Sequence, residues 1–225
     1  MIRTIFLDAA GTLIEPAESV AAVYARHFAA VGWDVEERAV KPAFRTVFAT
    51  LPAPDYASAP EGDRAERNWW RSVVWETARH SGIHFQEESF EAIFRDLFAY
   101  YDRGLAWSVF PEVEECLTKW RQKGMKLVVV SNFDRRLHRI LADLGLSGFF
   151  DTIITSADAR ARKPDPVIFR HALAAAAAVA GETVHIGDHP VADGEGAAAL
   201  GIRSFVLDRP QTSLTDAFEW LEAKI

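Results

Sequence analysis

The residues best suited to chemistry stand at or just after the ends of apolar runs. Asp8 follows "TIFL" and opens "DAAGT"; Ser131 and Asn132 follow "KLVVV"; Lys163 lies in "RKPDP"; Asp188 and Asp193 share "GDHPVAD". Together they suit the handling of a small phosphate. A carboxylate can attack phosphorus only when the negative charge of the phosphate is screened, because two anions repel. Lys163 supplies a point charge, Ser131 and Asn132 supply donors, and the turn after Asp8 can aim backbone N–H groups at phosphate oxygens. Asp8, Asp188 and Asp193 would repel one another at one edge. Mg²⁺ relieves that repulsion, since it takes oxygen ligands and often uses one or two carboxylates with water and substrate phosphate. Singly, each residue has a plainer reading: Asp8 as turn chemistry, Lys163 as an exposed loop cation, Ser131, Asn132 and Asp193 as helix caps.

The elements that must position these residues are legible as patterns. Runs at 4–8, 126–132, 151–156 and 183–188 are continuously apolar, as in strands buried on both faces of a parallel sheet, and 204–208 adds a fifth. Helical patterns separate them. "PEVEECLTKWRQKG" sets Val113, Leu117 and Trp120 on one face; "RRLHRILADLG" does the same with Leu137, Ile140, Leu141 and Leu144. "HALAAAAAVAG" has the composition of a strong helix former. "SLTDAFEWLEAKI" predicts a capped amphipathic helix with Leu214, Phe218 and Leu221 inward. Alternating strands and helices predict an α/β fold, a Rossmann-like parallel sheet with right-handed crossovers whose ligands gather beyond the strand carboxyl ends.

Between the first strand and Pro111 the sequence offers no strand, only four helical stretches and the Pro/Ala-rich loop "LPAPDYASAPEGD". The expected organisation is therefore a discontinuous core, residues 1–14 and 106–225, with a helical module inserted at 15–105. Helical spacing makes Trp69, Trp70 and Trp75 core residues before it makes them a substrate wall.

Composition narrows the partners. At 49% hydrophobic residues the chain can build a core. A net charge of −7 argues against nucleic acid, whose binding rests on clustered Lys and Arg. No run approaches a membrane span, the N-terminus lacks a secretory pattern, and the lone Cys116 rules out an internal disulfide framework. The expectation is a cytoplasmic protein with a small-molecule substrate and neither nucleic acid nor membrane as partner. His80 and His84 straddle the helix-breaking "SG", so they do not form a metal pair.

With its motifs "DAAGTL", "VVVSN", "RKPDP" and "HIGDHPVAD" in this order, the chain resembles the haloacid dehalogenase superfamily hydrolases over nearly its whole length. "SNFDRRL" and "NWWRSVVWETARHSG" resemble the subgroup called haloacid dehalogenase-like hydrolase domain-containing proteins. The resemblance implies that the inserted module is a type 1 cap. It implies Asp8 as nucleophile and metal ligand, the Ala10 carbonyl as a second Mg²⁺ ligand, Asp188 as a direct ligand and Asp193 as a close, water-mediated one. Lys163 is implied as catalytic, and with Ser131 and Asn132 as phosphate-binding.

The chain departs from that family at Ala10, where its phosphatases usually carry an aspartate that protonates the leaving alcohol and later activates water. General acid–base help is typically worth 10² to 10⁴ in rate, roughly 3 to 5 kcal/mol. A Mg²⁺-dependent phosphatase with an aspartyl-phosphate intermediate is thus expected to be slow, or restricted to good leaving groups such as acyl and aryl phosphates. The alternatives are a 2-haloacid dehalogenase, against which the paired acids of "GDHPVAD" count; a phosphonoacetaldehyde-hydrolase-like enzyme, for which Lys41 would have to form an imine; and a binding protein that has lost turnover. Asp134, Glu15 and His189 lie close enough in sequence to be weighed as substitutes for the absent acid.

Overall fold

The computed structural model describes residues 1–85 and 87–223. Gln86, Lys224 and Ile225 lie outside them, so the last two residues of the expected C-terminal helix are not described. In chain order the elements are β1 (Thr4–Leu7), β2 (Ile14–Pro16), α1 (Val20–Ala29), α2 (Glu37–Thr50), α3 (Gly62–His80), α4 (Glu87–Tyr100) and β3 (Trp107–Val109). They continue as α5 (Val113–Gln122), β4 (Lys126–Ser131), α6 (Arg136–Asp143), β5 (Thr152–Thr155), α7 (Ser156–Ala159) and α8 (Pro166–Ala175). The last are β6 (Thr183–Gly187), α9 (Gly196–Ala198), β7 (Arg203–Val206) and α10 (Leu214–Glu222).

The chain divides into two compact units, Met1–Glu15 with the chain from Ser108 onward, and Pro16–Trp107. The first is built on a five-stranded parallel sheet in the order β5-β4-β1-β6-β7. β1, β4 and β6 are buried along nearly their whole length, which is why their sequences run apolar without alternation. Phe6, Val128, Val130 and Ile154 pack with Ile168, Phe169 and Ala172 of α8 and with Ala197 of α9. Ile5, Leu7, Leu127 and Val129, pointing to the other face by the two-residue strand period, are fully buried as well, with α5 against β4. The α10 helix opens with a capping box, Ser213 donating to Asp216 through both its amide and its hydroxyl, and buries Leu214, Ala217 and Leu221.

The second unit is helical. Tyr24, Phe28, Val40, Val74, Phe90, Phe94 and Leu97 form its main core, and Trp75 packs on it through edge contacts to Phe85 and Phe90. A smaller cluster joins Val47, Trp69 and Val73, with Trp70 against it. The indole N–H of Trp69 donates to the Pro52 carbonyl at 2.8 Å, so this tryptophan also ties down the loop before α3.

Two details differ from the sequence reading. The chain crosses between the units through β2 and β3, which pair as a two-stranded ribbon. Each has only three residues, too few for periodicity to register. The alanine run does not continue α8 to its end: the helix stops at Ala175, Ala177 takes a left-handed φ of 46°, and the chain turns toward β6. Helix propensity favours alanine, but the return to the sheet decides where the helix ends.

Candidate active site

Strand β1 is the switch point of the sheet: from it the chain runs outward through β4 and β5 on one side and through β6 and β7 on the other. Loops leaving the carboxyl ends of β1, β4 and β6 therefore diverge and leave a crevice for a ligand. Asp8 is the first residue past β1, and its amide, donating to the Ile186 carbonyl at 2.9 Å, extends the pairing with β6. The turn that follows is tight. The amides of Thr12, Leu13 and Ile14 all donate to the Ala9 carbonyl, and Gly11 adopts a φ of 88°. A side chain at Gly11 would meet Asp188: a Cβ there would lie 2.3 Å from its Oδ2.

Lys163 is the hub. Its buried Nζ lies 2.8 Å from Asp8 Oδ1 and 2.6 Å from Asp193 Oδ1. Burial works against its charge, but Asp8 and Asp193 outweigh that and hold its pKa above the ordinary lysine value. Asp193, fully buried, also accepts from His185 Nε2 at 2.8 Å through Oδ1 and from the His189 amide at 2.9 Å through Oδ2. Burial would raise its pKa, yet Lys163 and His185 pull it far below the usual carboxylate range.

Asp188 is the counterpart. It remains open to solvent as a residue, but its carboxyl end is packed against the Gly11 turn. Burial of that end, then repulsion from Asp8 and Asp193, pushes its pKa up to about 7 against the opposing pull of Lys163. One carboxylate oxygen from each of Asp8, Asp188 and Asp193 lies within 4.8 Å of the others. The Lys163 ammonium contacts two of these acids, Asp8 and Asp193.

Ser131 is the last residue of β4 and is buried; Asn132 follows it. The Asn132 amide is paired with the backbone of Lys163, donating to its carbonyl at 3.0 Å and accepting from its amide at 2.7 Å. That pairing sets the height at which the lysine enters the crevice. Neither residue caps α6: Asp134 accepts from the Arg136 amide there. Asp193 is not a cap either: it sits inside the wide turn Pro190–Glu195, which His189 caps by accepting from Ala192 N–H at its Nδ1, and the residue that precedes α9 is Glu195.

Ala10 brings no titratable group, and the nearby acids do not all remain available. Asp134 is buried and gripped by the Arg136 guanidinium at 2.8 Å to each oxygen. Glu15 is exposed where the chain leaves the first unit. His189 is exposed, and Lys41 lies exposed on α2.

Sequence reasoning missed His185 and Gly187, both inside the apolar run of β6. His185 is fully buried and stands edge-on to Phe169. The only available signal was a histidine in an otherwise buried strand, eight residues before an acid. Gly187 faces Asp193 so closely that a Cβ would lie 2.2 Å from its Cγ.

Comparison with known proteins identifies a family. A family model described as haloacid dehalogenase-like hydrolase matches residues 2–201. The chain is 34% identical over 210 residues to haloacid dehalogenase-like hydrolase domain-containing protein 3 of Danio rerio, covering 92% of this chain and 86% of that one. It is 33% identical over 112 residues to phosphoserine phosphatase of Thermus thermophilus, covering 49% of this chain and 45% of the other. Among solved structures, YfnB of Bacillus subtilis, bound to magnesium, superposes with a TM-score of 0.72 at 17% identity, covering 98% of this chain and 99% of that one.

Proposed function

The chain belongs to the haloacid dehalogenase-like hydrolase family, and from that premise we propose that it is a cytoplasmic, Mg²⁺-dependent phosphatase acting on a small phosphorylated metabolite with a good leaving group. The observation that carries the reading is the buried contact of Lys163 with Asp8, set beside the surplus of carboxylate at Asp188. The three acids fit a divalent cation, because one oxygen of each lies within 4.8 Å of the others, the Lys163 ammonium contacts only Asp8 and Asp193 among them, and Asp188 is pushed up to about 7 by burial and by the other two. Asp8, the Ala10 carbonyl and Asp188 would hold it. With both oxygens already engaged, Asp193 would take part through water. Bound there, Mg²⁺ would offset negative charge on the substrate phosphate and lower its repulsion of Asp8.

In this reading Asp8 attacks phosphorus, the bond to the leaving oxygen breaks, and the leaving group departs as an anion. Lys163 turns from Asp8 toward the phosphate oxygens as the negative charge spreads onto them. Ser131 and the remaining amide hydrogen of Asn132 donate to the same oxygens. Water then attacks the aspartyl phosphate, releasing inorganic phosphate and restoring Asp8. Since Ala10 moves no proton and Asp134 is held by Arg136, departure without protonation limits the substrates to acyl, aryl and similarly acidic leaving groups.

A panel of phosphate esters spanning leaving-group acidity, assayed with Mg²⁺ and with EDTA, tests this. Rates should rise steeply as the leaving group becomes more acidic and vanish in EDTA. Turnover of a 2-haloacid that survives EDTA would replace phosphatase with dehalogenase.

A further inference from the structure

The segment after β7 reaches back to the turn that follows Asp8. Arg209 donates from Nε to the Gly11 carbonyl at 3.1 Å and from Nη2 to the Thr12 carbonyl at 2.9 Å. The same Nη2 donates to Glu112 Oε1 at 2.7 Å, and the guanidinium carbon lies 3.5 Å from the centre of the Phe110 ring. Glu112 in turn accepts from the Leu214 amide at 3.2 Å, where α10 begins.

These contacts close a circuit on two consecutive peptide units. The Gly11 and Thr12 carbonyls face Arg209, while the amides at the other ends of the same peptides, on Thr12 and Leu13, donate to the Ala9 carbonyl. Each plane is therefore held at both ends. The turn also has no slack on its far side, since Gly11 abuts the Asp188 carboxylate. Any tilt of these peptides moves Gly11 into or away from Asp188 and shifts Ala10 relative to Asp8. We propose that Arg209 is a positioning residue that clamps the Gly11–Thr12 turn, with Glu112 and Phe110 fixing its planar fork, so that Asp8 and Asp188 keep their spacing. This rests on the phosphatase reading for its kinetic consequence alone. Because Glu112 neutralises Arg209 at the contact, the effect is geometric: a lysine, which keeps the charge but not the fork, cannot replace it.

Arg209→Lys and Arg209→Ala, beside the natural protein, test the clamp by amide exchange over residues 9–14 and by kinetics on p-nitrophenyl phosphate. In both variants the amides of 11–14 should exchange at least about tenfold faster while β4 keeps its natural rates. A misplacement of this kind should lower kcat roughly 10- to 100-fold with KM little changed. Added ethylguanidinium should restore part of kcat to Arg209→Ala and nothing to the natural protein. If Arg209→Ala does not fold, Arg209→Lys and Phe110→Leu carry the same measurements. Unchanged kcat in a folded variant, or exchange that rises equally in β4, would overturn the proposal. A natural protein without turnover would instead sink the phosphatase reading and leave the exchange result to decide the clamp.

Discussion

The ammonium of Lys163 stands 2.8 Å from Asp8 Oδ1, both residues buried beside the central strand of the sheet. In the proposed reaction this contact would balance Asp8 before substrate arrives, and the same cation would meet the phosphate as it enters. Removing the lysine should therefore damage the resting protein as well as its chemistry. Lys163→Met would leave Asp8 and Asp193 without their shared cation, and breaking a buried pair from one side costs about 3–5 kcal/mol. Urea denaturation should show a loss of that order, smaller in the double variant with Asp193→Asn. A loss within about 1 kcal/mol, the range of a surface pair, would contradict the picture.

Ala10→Asp should return a proton donor to the loop. Hydrolysis of alkyl phosphate esters should rise by about 10² or more, and that of aryl esters by much less, because an acidic leaving group needs little protonation. Equal gains on both would show that the new carboxylate acts by some means other than acid catalysis.

Gly187→Ala would place a Cβ 2.2 Å from Cγ of Asp193, which cannot swing away because Lys163, His185 and the His189 amide all hold it. Overpacking at such a site costs typically about 1–3 kcal/mol. Turnover should fall further than stability, since Asp193 carries Lys163 with it. Natural kcat in a folded Gly187→Ala protein would contradict this.

These contacts show what the sequence can and cannot reveal. The five strands of the sheet are legible because burial on both faces forces unbroken apolar runs, and the candidate site is legible because its residues fall where those runs end. Strand order is not, since nothing local says that β6 rather than β5 lies beside β1. His185 and Gly187 are hidden for the opposite reason: they sit within an apolar run and owe their meaning to Asp193 packing over them. Arg209 is hidden too, because its partners at Gly11, Thr12 and Glu112 come together only in the folded core.

The Arg209 circuit also predicts a pH dependence. Burial alone would raise the Glu112 carboxyl, but hydrogen bonds from its own amide, Arg209 and Leu214 outweigh it and hold the pKa below the ordinary 4.5. A depressed carboxylate stabilises the fold above its unfolded pKa, and that contribution is lost as pH falls through the folded value. The stability gap between the natural protein and Glu112→Gln should thus be full near neutrality and close below about pH 4.5. A gap that widens on acidification would contradict this sign.

The central claim is that Asp8 and Asp188, with the Ala10 carbonyl, form a seat for a divalent cation, and calorimetric titration with Mg²⁺ tests it most directly. The natural protein should bind one Mg²⁺, more tightly in the presence of tungstate as a phosphate mimic, and Asp188→Asn should lose that binding while retaining its circular dichroism. No Mg²⁺ uptake by the natural protein, with or without tungstate, would contradict the account.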